Sequence, residues 1–214
     1  MGEAKVIVAL RREGATAEEM LESVKAAVPA LDGVAGAIAV YLAERPSTRG
    51  PGAVVTLHDV SDVESAIAAL RSPFGGRGTV DAYAATEHFH WDVDRSSVPV
   101  GTPEPDVFQI SFLRAKEGLS PEDFAVEWLK HKELAKKHHP TLTRYRVNTL
   151  PRPLTDGSVA YDGIAELGFP SAEDIRDRMF DSEEGRRVIA ADVDRFIDMR
   201  AGIRLVGPRV VLKP

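Results

Sequence analysis

Gly14-Ala15-Thr16-Ala17-Glu18-Glu19-Met20 and Gly118-Leu119-Ser120-Pro121-Glu122-Asp123-Phe124 are two versions of one signal. Laid over each other at an offset of 104 residues, they agree in turn as glycine, hydroxyl, acid, acid and apolar residue. A hydroxyl residue followed three positions later by an acid satisfies the free amides of a starting helix, so the same helix start is written twice. Further along, an offset of 110 brings Ser61 onto Ser171, Ser72 onto Ser182 and Gly75 onto Gly185. A drift that small between the two offsets is what one loop insertion produces in a duplicated unit. Under the first offset His131 falls on Ala27, so only one copy carries an imidazole at that place.

Each half reads strand, helix, strand, strand, helix, strand. In the first, Lys5–Leu10 is a short apolar run, Thr16 with Glu19 opens a helix to about Ala27, and Pro29 and Gly33 are expected to stop it. Gly36–Leu42 and Ala53–His58 have the Ala, Ile and Val content of buried strands, separated by the Pro- and Gly-rich loop 45–52. Ser61 followed by Glu64 is expected to cap a second helix whose Val63, Ala66, Ile67 and Leu70 recur at helical spacing, and Val80–Trp91 reads as a long strand. The second half repeats the order. Val107–Leu113 is a strand, Ser120 with Asp123 opens a helix to about His139, and Thr143–Asn148 and Ala160–Phe169 are strands. Ser171 with Asp174 caps the next helix, Glu183–Asp192 is a helical stretch longer than its counterpart, and Ile203–Leu212 closes the unit.

This order is the split βαβ, ferredoxin-like arrangement, an α+β unit with an antiparallel four-stranded sheet and two helices on one face. One such unit leaves a sheet face bare in water, and a tandem copy can cover it sheet to sheet. The expected division is 1–94, a Pro-rich linker at 95–105, and 106–214. The 214 residues are enough for two cores, with 43% hydrophobic and 28% charged residues as in ordinary globular chains. A net charge of -6 argues against a nucleic-acid partner, which would need a basic excess. With no cysteine, thiolate nucleophiles and cysteine-held clusters are excluded. The N-terminus lacks a signal-peptide pattern, Val6 stands where myristoylation prefers a hydroxyl residue, and no apolar run reaches spanning length, so no membrane partner and a cytoplasmic location are expected.

Ser120-Pro121-Glu122-Asp123-Phe124, then Trp128, His131, Leu134-Ala135, Tyr145, the run Asp162–Leu167 and the run Arg195–Asp198 resemble an EthD-domain protein of the dimeric α/β-barrel superfamily. The first half is similar more faintly, through Leu57, the turn at Ser72 to Gly75, and Tyr83 to Trp91 with its Glu87-His88. Two features depart from the family pattern. Lys132-Glu133 stand where a small residue and proline usually follow the histidine, and the aromatic-to-histidine spacing looks one residue short. The resemblance implies two ferredoxin-like units packed face to face as an intramolecular barrel, a mostly apolar pocket, a small aromatic or polyketide-like ligand, and chemistry without a tightly bound cofactor. Fold transfers from such a resemblance more firmly than function does.

His131 shares a helical stripe with Phe124, Trp128, Leu134 and Ala135, and Glu127 four residues earlier is placed to accept a hydrogen bond from it. An imidazole held by a carboxylate beside an apolar pocket is a workable general base, and the plain alternative is a packing histidine. His88 and His90 share a strand face with Ala84 and Thr86, opposite Tyr83, Ala85, Phe89 and Trp91. With no third ligand evident they are read as flanking a substrate or lining a pocket or a wet sheet edge, and no metal site is assigned. His138-His139-Pro140 reads as a helix end, Ser72–Gly78 as a turn rather than a phosphate cradle, and Lys130–Lys137 as a solvated helix side. Tyr145, Tyr161, Arg144 and Arg146 could place a hydroxyl or a cation in a pocket, though strand propensity alone would supply the tyrosines.

The candidate catalytic set is therefore His131, Glu127 and His88, and the candidate substrate-binding set Phe124, Trp128, Tyr145, His90 and Tyr161. The expected activity is proton-transfer chemistry of lyase or isomerase type on a small hydrophobic carbonyl or phenolic compound, with no cofactor. A ligand-holding accessory protein, a cofactorless monooxygenase and a haem-handling role are the alternatives, and two chains could still pair as a homodimer.

Overall fold

Strand β1 (Glu3–Arg11) sends alternate side chains to two different cores. Val6, Val8 and Leu10 pack under helices, while Ile7 and Ala9 point into the space enclosed by the sheet. The computed structural model describes residues 3–45, 47, 49–74, 76–93 and 97–214, with the side chains of 3 and 4 excepted. Gly75, matched to Gly185 in the repeat, Pro46 and Thr48 of the first loop, and Asp94, Arg95 and Ser96 of the linker lie outside the described residues.

After β1 come α1 (Ala17–Leu31), β2 (Ala37–Leu42), β3 (Ala53–His58), α2 (Val63–Arg71) and the fourteen-residue β4 (Thr79–Asp92). The second unit holds β5 (Val107–Leu113), α3 (Pro121–Lys130), α4 (Lys132–His138), β6 (Arg144–Pro153), β7 (Gly163–Phe169), α5 (Ala172–Asp177), α6 (Glu183–Val193), β8 (Ile203–Gly207) and β9 (Arg209–Lys213). Nine antiparallel strands follow the order β8-β5-β7-β6-β4-β1-β3-β2-β9. Each unit thus orders its strands last-first-third-second, the ferredoxin-like pattern. The units join at their edges because each last strand outruns its own sheet. β4 continues past β1 to pair with β6, while β8 pairs with β5 and β9, beyond Pro208, pairs with β2. Proline has no amide to give the ladder, so the closing strand breaks there. Leu42 N donating to Pro208 O at 3.0 Å and Glu44 N to Val206 O at 2.9 Å bridge the break. The protein is a tandem ferredoxin-like α/β barrel within one chain.

Several local expectations are corrected. Pro29 lies inside α1, which runs on to Leu31. The cap of α2 is Asp62, accepting from Ser65 N, and Ser61 instead bonds the carbonyls of Gly33 and Val34. The helix expected to reach His139 is broken at His131. Part of the linker adds to the sheet, with Gly101 N donating to Val211 O at 2.8 Å and Glu104 N to Arg209 O at 2.8 Å.

The barrel interior is apolar at one end, where Tyr83, Phe112 and Tyr161 pack ring to ring. Toward the other end it is charged. The Lys5 ammonium sits between Glu87 and Glu166, Tyr41 donates to Glu166, and Arg144 and Arg146 reach Asp92 at 2.7 and 2.9 Å. Burial opposes ionisation of Glu166, but Lys5 and Arg146 outweigh it and hold its carboxyl far below the usual range.

Candidate active site

The second unit builds its site from a helix that starts as α1 does. Ser120 caps α3 by accepting from Asp123 N at 3.0 Å, and Phe124 and Trp128 then turn toward the sheet. Phe124 is fully buried, with ring centroids 5.5 Å from Trp128 and 5.8 Å from Phe196. Gly163 on β7 makes room for this pair, since a Cβ there would lie 2.2 Å from Trp128 Cζ3. At His131 the helix stumbles. Its amide is shared between the carbonyls of Glu127 at 3.3 Å and Trp128 at 3.1 Å, and the chain restarts as α4.

The His131 side chain is 7% exposed, and its Nδ1 lies 2.7 Å from Asp192 Oδ2 on α6. Arg195 bonds the other Asp192 oxygen. Burial tends to raise the Asp192 pKa, but the hydrogen bonds from His131 and Arg195 outweigh it and hold the carboxyl below its ordinary value. Glu127, the partner expected from the sequence, instead takes Lys130 at 2.6 Å and Arg195 at 3.3 Å. Helical spacing puts Glu127 near His131, but the ring turns across to α6. Sequence reasoning thus missed Asp192, which closes a helical stretch that the first unit does not match.

Beside His131 a cavity of about 560 Å³ opens between α3, α4, α6 and the sheet. Trp128, Ala135, Tyr145, Leu167, Phe169 and Val193 give it apolar walls, while Gln109 and Ser111 on β5 are bonded to each other at 3.1 Å. Tyr145 is buried, which pushes its phenol well above the ordinary value. His139 also lines this space.

The remaining candidates separate. Phe124 supports Trp128 from behind without lining the cavity. His88 Nε2 lies 3.0 Å from Thr149 Oγ1, and burial lowers its pKa. His90 packs 4.8 Å from the Tyr145 ring centroid, its Nε2 is buried without a partner, and burial, aided by Lys132, pushes its pKa down to about 4. Neither ring lines the cavity. The strict alternation expected for β4 fails at a bulge between Phe89 and Trp91, which swings Trp91 onto Tyr145, ring centroids 5.1 Å apart. Tyr161 is displaced farthest, packing inside the barrel 5.2 Å from Phe112 rather than near His131. Arg144 and Arg146 likewise serve the barrel's ion network. Among the described residues no group of three or more His, Asp or Glu is arranged to hold a metal ion, and no helix is long and apolar enough to cross a membrane.

Fold and site together define a dimeric α/β barrel made from one chain, with an apolar pocket and a histidine–aspartate pair in its second unit. Residues 116–200 match the EthD domain family, so that unit carries an EthD domain. No curated protein matches the chain in sequence. Solved structures share its fold over nearly its whole length. One is an anthrone oxidase-like protein, at 13% identity and a TM-score of 0.57, covering 99% of this chain and 94% of that one. Another, from Lactobacillus acidophilus NCFM, is provisionally named a monooxygenase, at 8% identity and a TM-score of 0.54, covering 100% and 95%. A chlorite dismutase variant from Candidatus Nitrospira defluvii follows at 12% identity and a TM-score of 0.54, covering 98% and 91%. These neighbours carry the names of enzymes, and at such identities they establish the fold alone.

Proposed function

We propose that the chain is an enzyme that moves a proton on a small, largely apolar carbonyl or phenolic compound held in the pocket of the second unit. The observation that carries this reading is the His131–Asp192 pair at the wall of the 560 Å³ apolar cavity. A carboxylate can only accept, so Nδ1 carries the hydrogen, and in the neutral ring Nε2 keeps its lone pair. Nε2 would take a proton from an acidic C–H or O–H, and Asp192 would stabilise the imidazolium that results. Returning that proton to another carbon gives an isomerase, and loss of a leaving group from the enolate gives a lyase. A placed base contributes about 10²- to 10⁴-fold, sufficient for an activated C–H.

A second reading uses the same base. An enolate formed by His131 could transfer electrons to dioxygen, a direction supported by the names of the monooxygenase and anthrone oxidase-like neighbours. Haem fits poorly, because among the described residues no Lys or Arg lines the cavity to meet its propionates, whereas Asp194 does line it.

The test is deuterium exchange into a panel of aromatic ketones and phenols, followed by NMR under air and under argon. Exchange by the wild type, lost in His131→Ala, is expected. Oxygen consumption would select the second reading. Binding without exchange or oxygen uptake, unchanged in His131→Ala, would make the chain a ligand-holding protein and overturn both.

A further inference from the structure

The cavity is lined by two histidines. His139 lies just past the end of α4, its amide donating to Ala135 O at 3.0 Å, and its ring Nδ1 is 2.7 Å from the carbonyl oxygen of Met179. A backbone carbonyl only accepts, so Nδ1 must carry the hydrogen, and Nε2 is a bare acceptor. Burial pushes the His139 pKa down, the Met179 carbonyl opposes this, and His131 and His138 add to the lowering, so the neutral ring is favoured. Phe180, with its ring centroid 5.2 Å away, packs against the imidazole.

His131, Ala135 and His139 follow one another at four-residue intervals and all line the cavity. At 1.5 Å per helical residue the Cα atoms of His131 and His139 are about 12 Å apart along the axis. Between them stand Ala135, which leaves room for a flat ring, and apolar walls. Gln109 Nε2 donates to Ser111 Oγ and the Asp194 carboxylate is taken by Lys116, which leaves the two imidazole nitrogens and the Gln109 carbonyl oxygen as acceptors along the lining.

We infer that the cavity takes an elongated, flat aromatic molecule with a hydroxyl at each end, His139 being the specificity-determining anchor of the end remote from His131. This deepens the proposed function and rests on its assignment of His131 to the reacting end. A substrate with one hydroxyl would bind and slide. A second hydroxyl, donating to His139, fixes which carbon meets the base.

The test compares 4,4′-dihydroxybiphenyl, 4-hydroxybiphenyl and 4-hydroxy-4′-methoxybiphenyl by fluorescence titration. The dihydroxy compound is expected to bind wild type about tenfold more tightly than either of the others, the worth of one hydrogen bond. In His139→Phe the preference should vanish, the three compounds then binding with similar affinity. In case that variant fails to fold, the ¹⁵N shift of His139 Nε2 in wild type reports directly, because accepting a hydrogen bond moves it. Equal affinities for the three compounds, a preference surviving in His139→Phe, or an unmoved Nε2 resonance would each overturn the anchor. Deuterium exchange keeps the two readings separable. A preference without any His131-dependent exchange removes the base and leaves the anchor standing, and exchange without a preference does the reverse.

Discussion

The two units begin their first helices with the same cap and fill the space beneath them differently. Under α1 the buried cluster is aliphatic apart from Phe74, and Ala27 packs there with Met20, Val24 and Leu31. Under α3 and α4, half of the buried cluster is aromatic, with Phe124, Trp128, Tyr145, Phe169 and Phe196. Aliphatic side chains fill the space under α1, whereas the cavity beside His131 is walled in part by rings, among them Trp128, Tyr145, Phe169 and Phe180. The roof differs as well. α2 is one short helix, while the second unit has α5 and α6 in its place, and α6 delivers Asp192. The same topology therefore gives a sealed core in one copy and an equipped pocket in the other, through side-chain shape and one added helix.

The sharpest way to break that comparison is to remove the chemistry and leave the packing. His131→Ala is expected to lower exchange by about 10²- to 10⁴-fold. Its cost in stability should be about 1–2 kcal/mol, because Asp192 keeps Arg195. Asp192→Asn should lower exchange by about 10- to 100-fold through loss of the ring's orientation, and Glu127→Gln should change it by less than about twofold. Denaturant titration beside exchange rates checks all three. A large effect of Glu127→Gln with a silent Asp192→Asn would restore the partner expected from the sequence and discard the one in the structure.

The converse substitution tests the sealed unit. Ala27 is 2% exposed, so Ala27→His pushes an imidazole into a packed aliphatic core with no polar partner. Overpacking and an unsatisfied polar ring together should cost about 3 kcal/mol or more, against the smaller loss for His131→Ala. Urea midpoints of the two variants decide it. If Ala27→His were tolerated within about 1 kcal/mol, the first unit would hold unfilled space and the contrast between the copies would be one of sequence only.

Much of this architecture was legible in the chain because it is written locally. The Gly-hydroxyl-acid starts at Thr16 and Ser120 are read within four residues, and both are N-caps in the structure. Trp128, His131 and Tyr145, read from stripe and strand positions, line one cavity. What escaped depends on distance or on a local irregularity. Asp192 is 61 residues from His131, and no spacing rule links them. The bulge after Phe89 reverses the face of Trp91, and bulges have only a weak sequence signature. Tyr161 precedes β7 and enters the barrel rather than the pocket, which alternation along a strand could not foretell for a loop residue. His139 read as a helix end and does end α4, but its ring also lines the pocket, four residues on from Ala135.

The smallest effect is a pH dependence carried by Asp192, which α6 of the second unit supplies. Its carboxyl is held below the ordinary value, with burial opposing and the His131 and Arg195 bonds prevailing. An unfolded Asp titrates near pH 4, so the unfolded chain takes up this proton first as pH falls. The stabilisation is therefore complete only above about pH 5, well clear of the unfolded value, and is lost as pH drops from there through the lower, folded value. Because solvent screens part of the interaction, no more than about 1 kcal/mol is at stake. Other depressed carboxylates, such as Asp181, titrate alike in wild type and Asp192→Asn, so the difference between the two proteins isolates Asp192. That difference, measured by urea denaturation at fixed ionic strength, should be largest above about pH 5 and shrink progressively toward about pH 2.5. A gap that widens as pH falls would mean that Asp192 is protonated more readily in the fold than in the unfolded chain, and the His131–Asp192–Arg195 arrangement would then have to be abandoned.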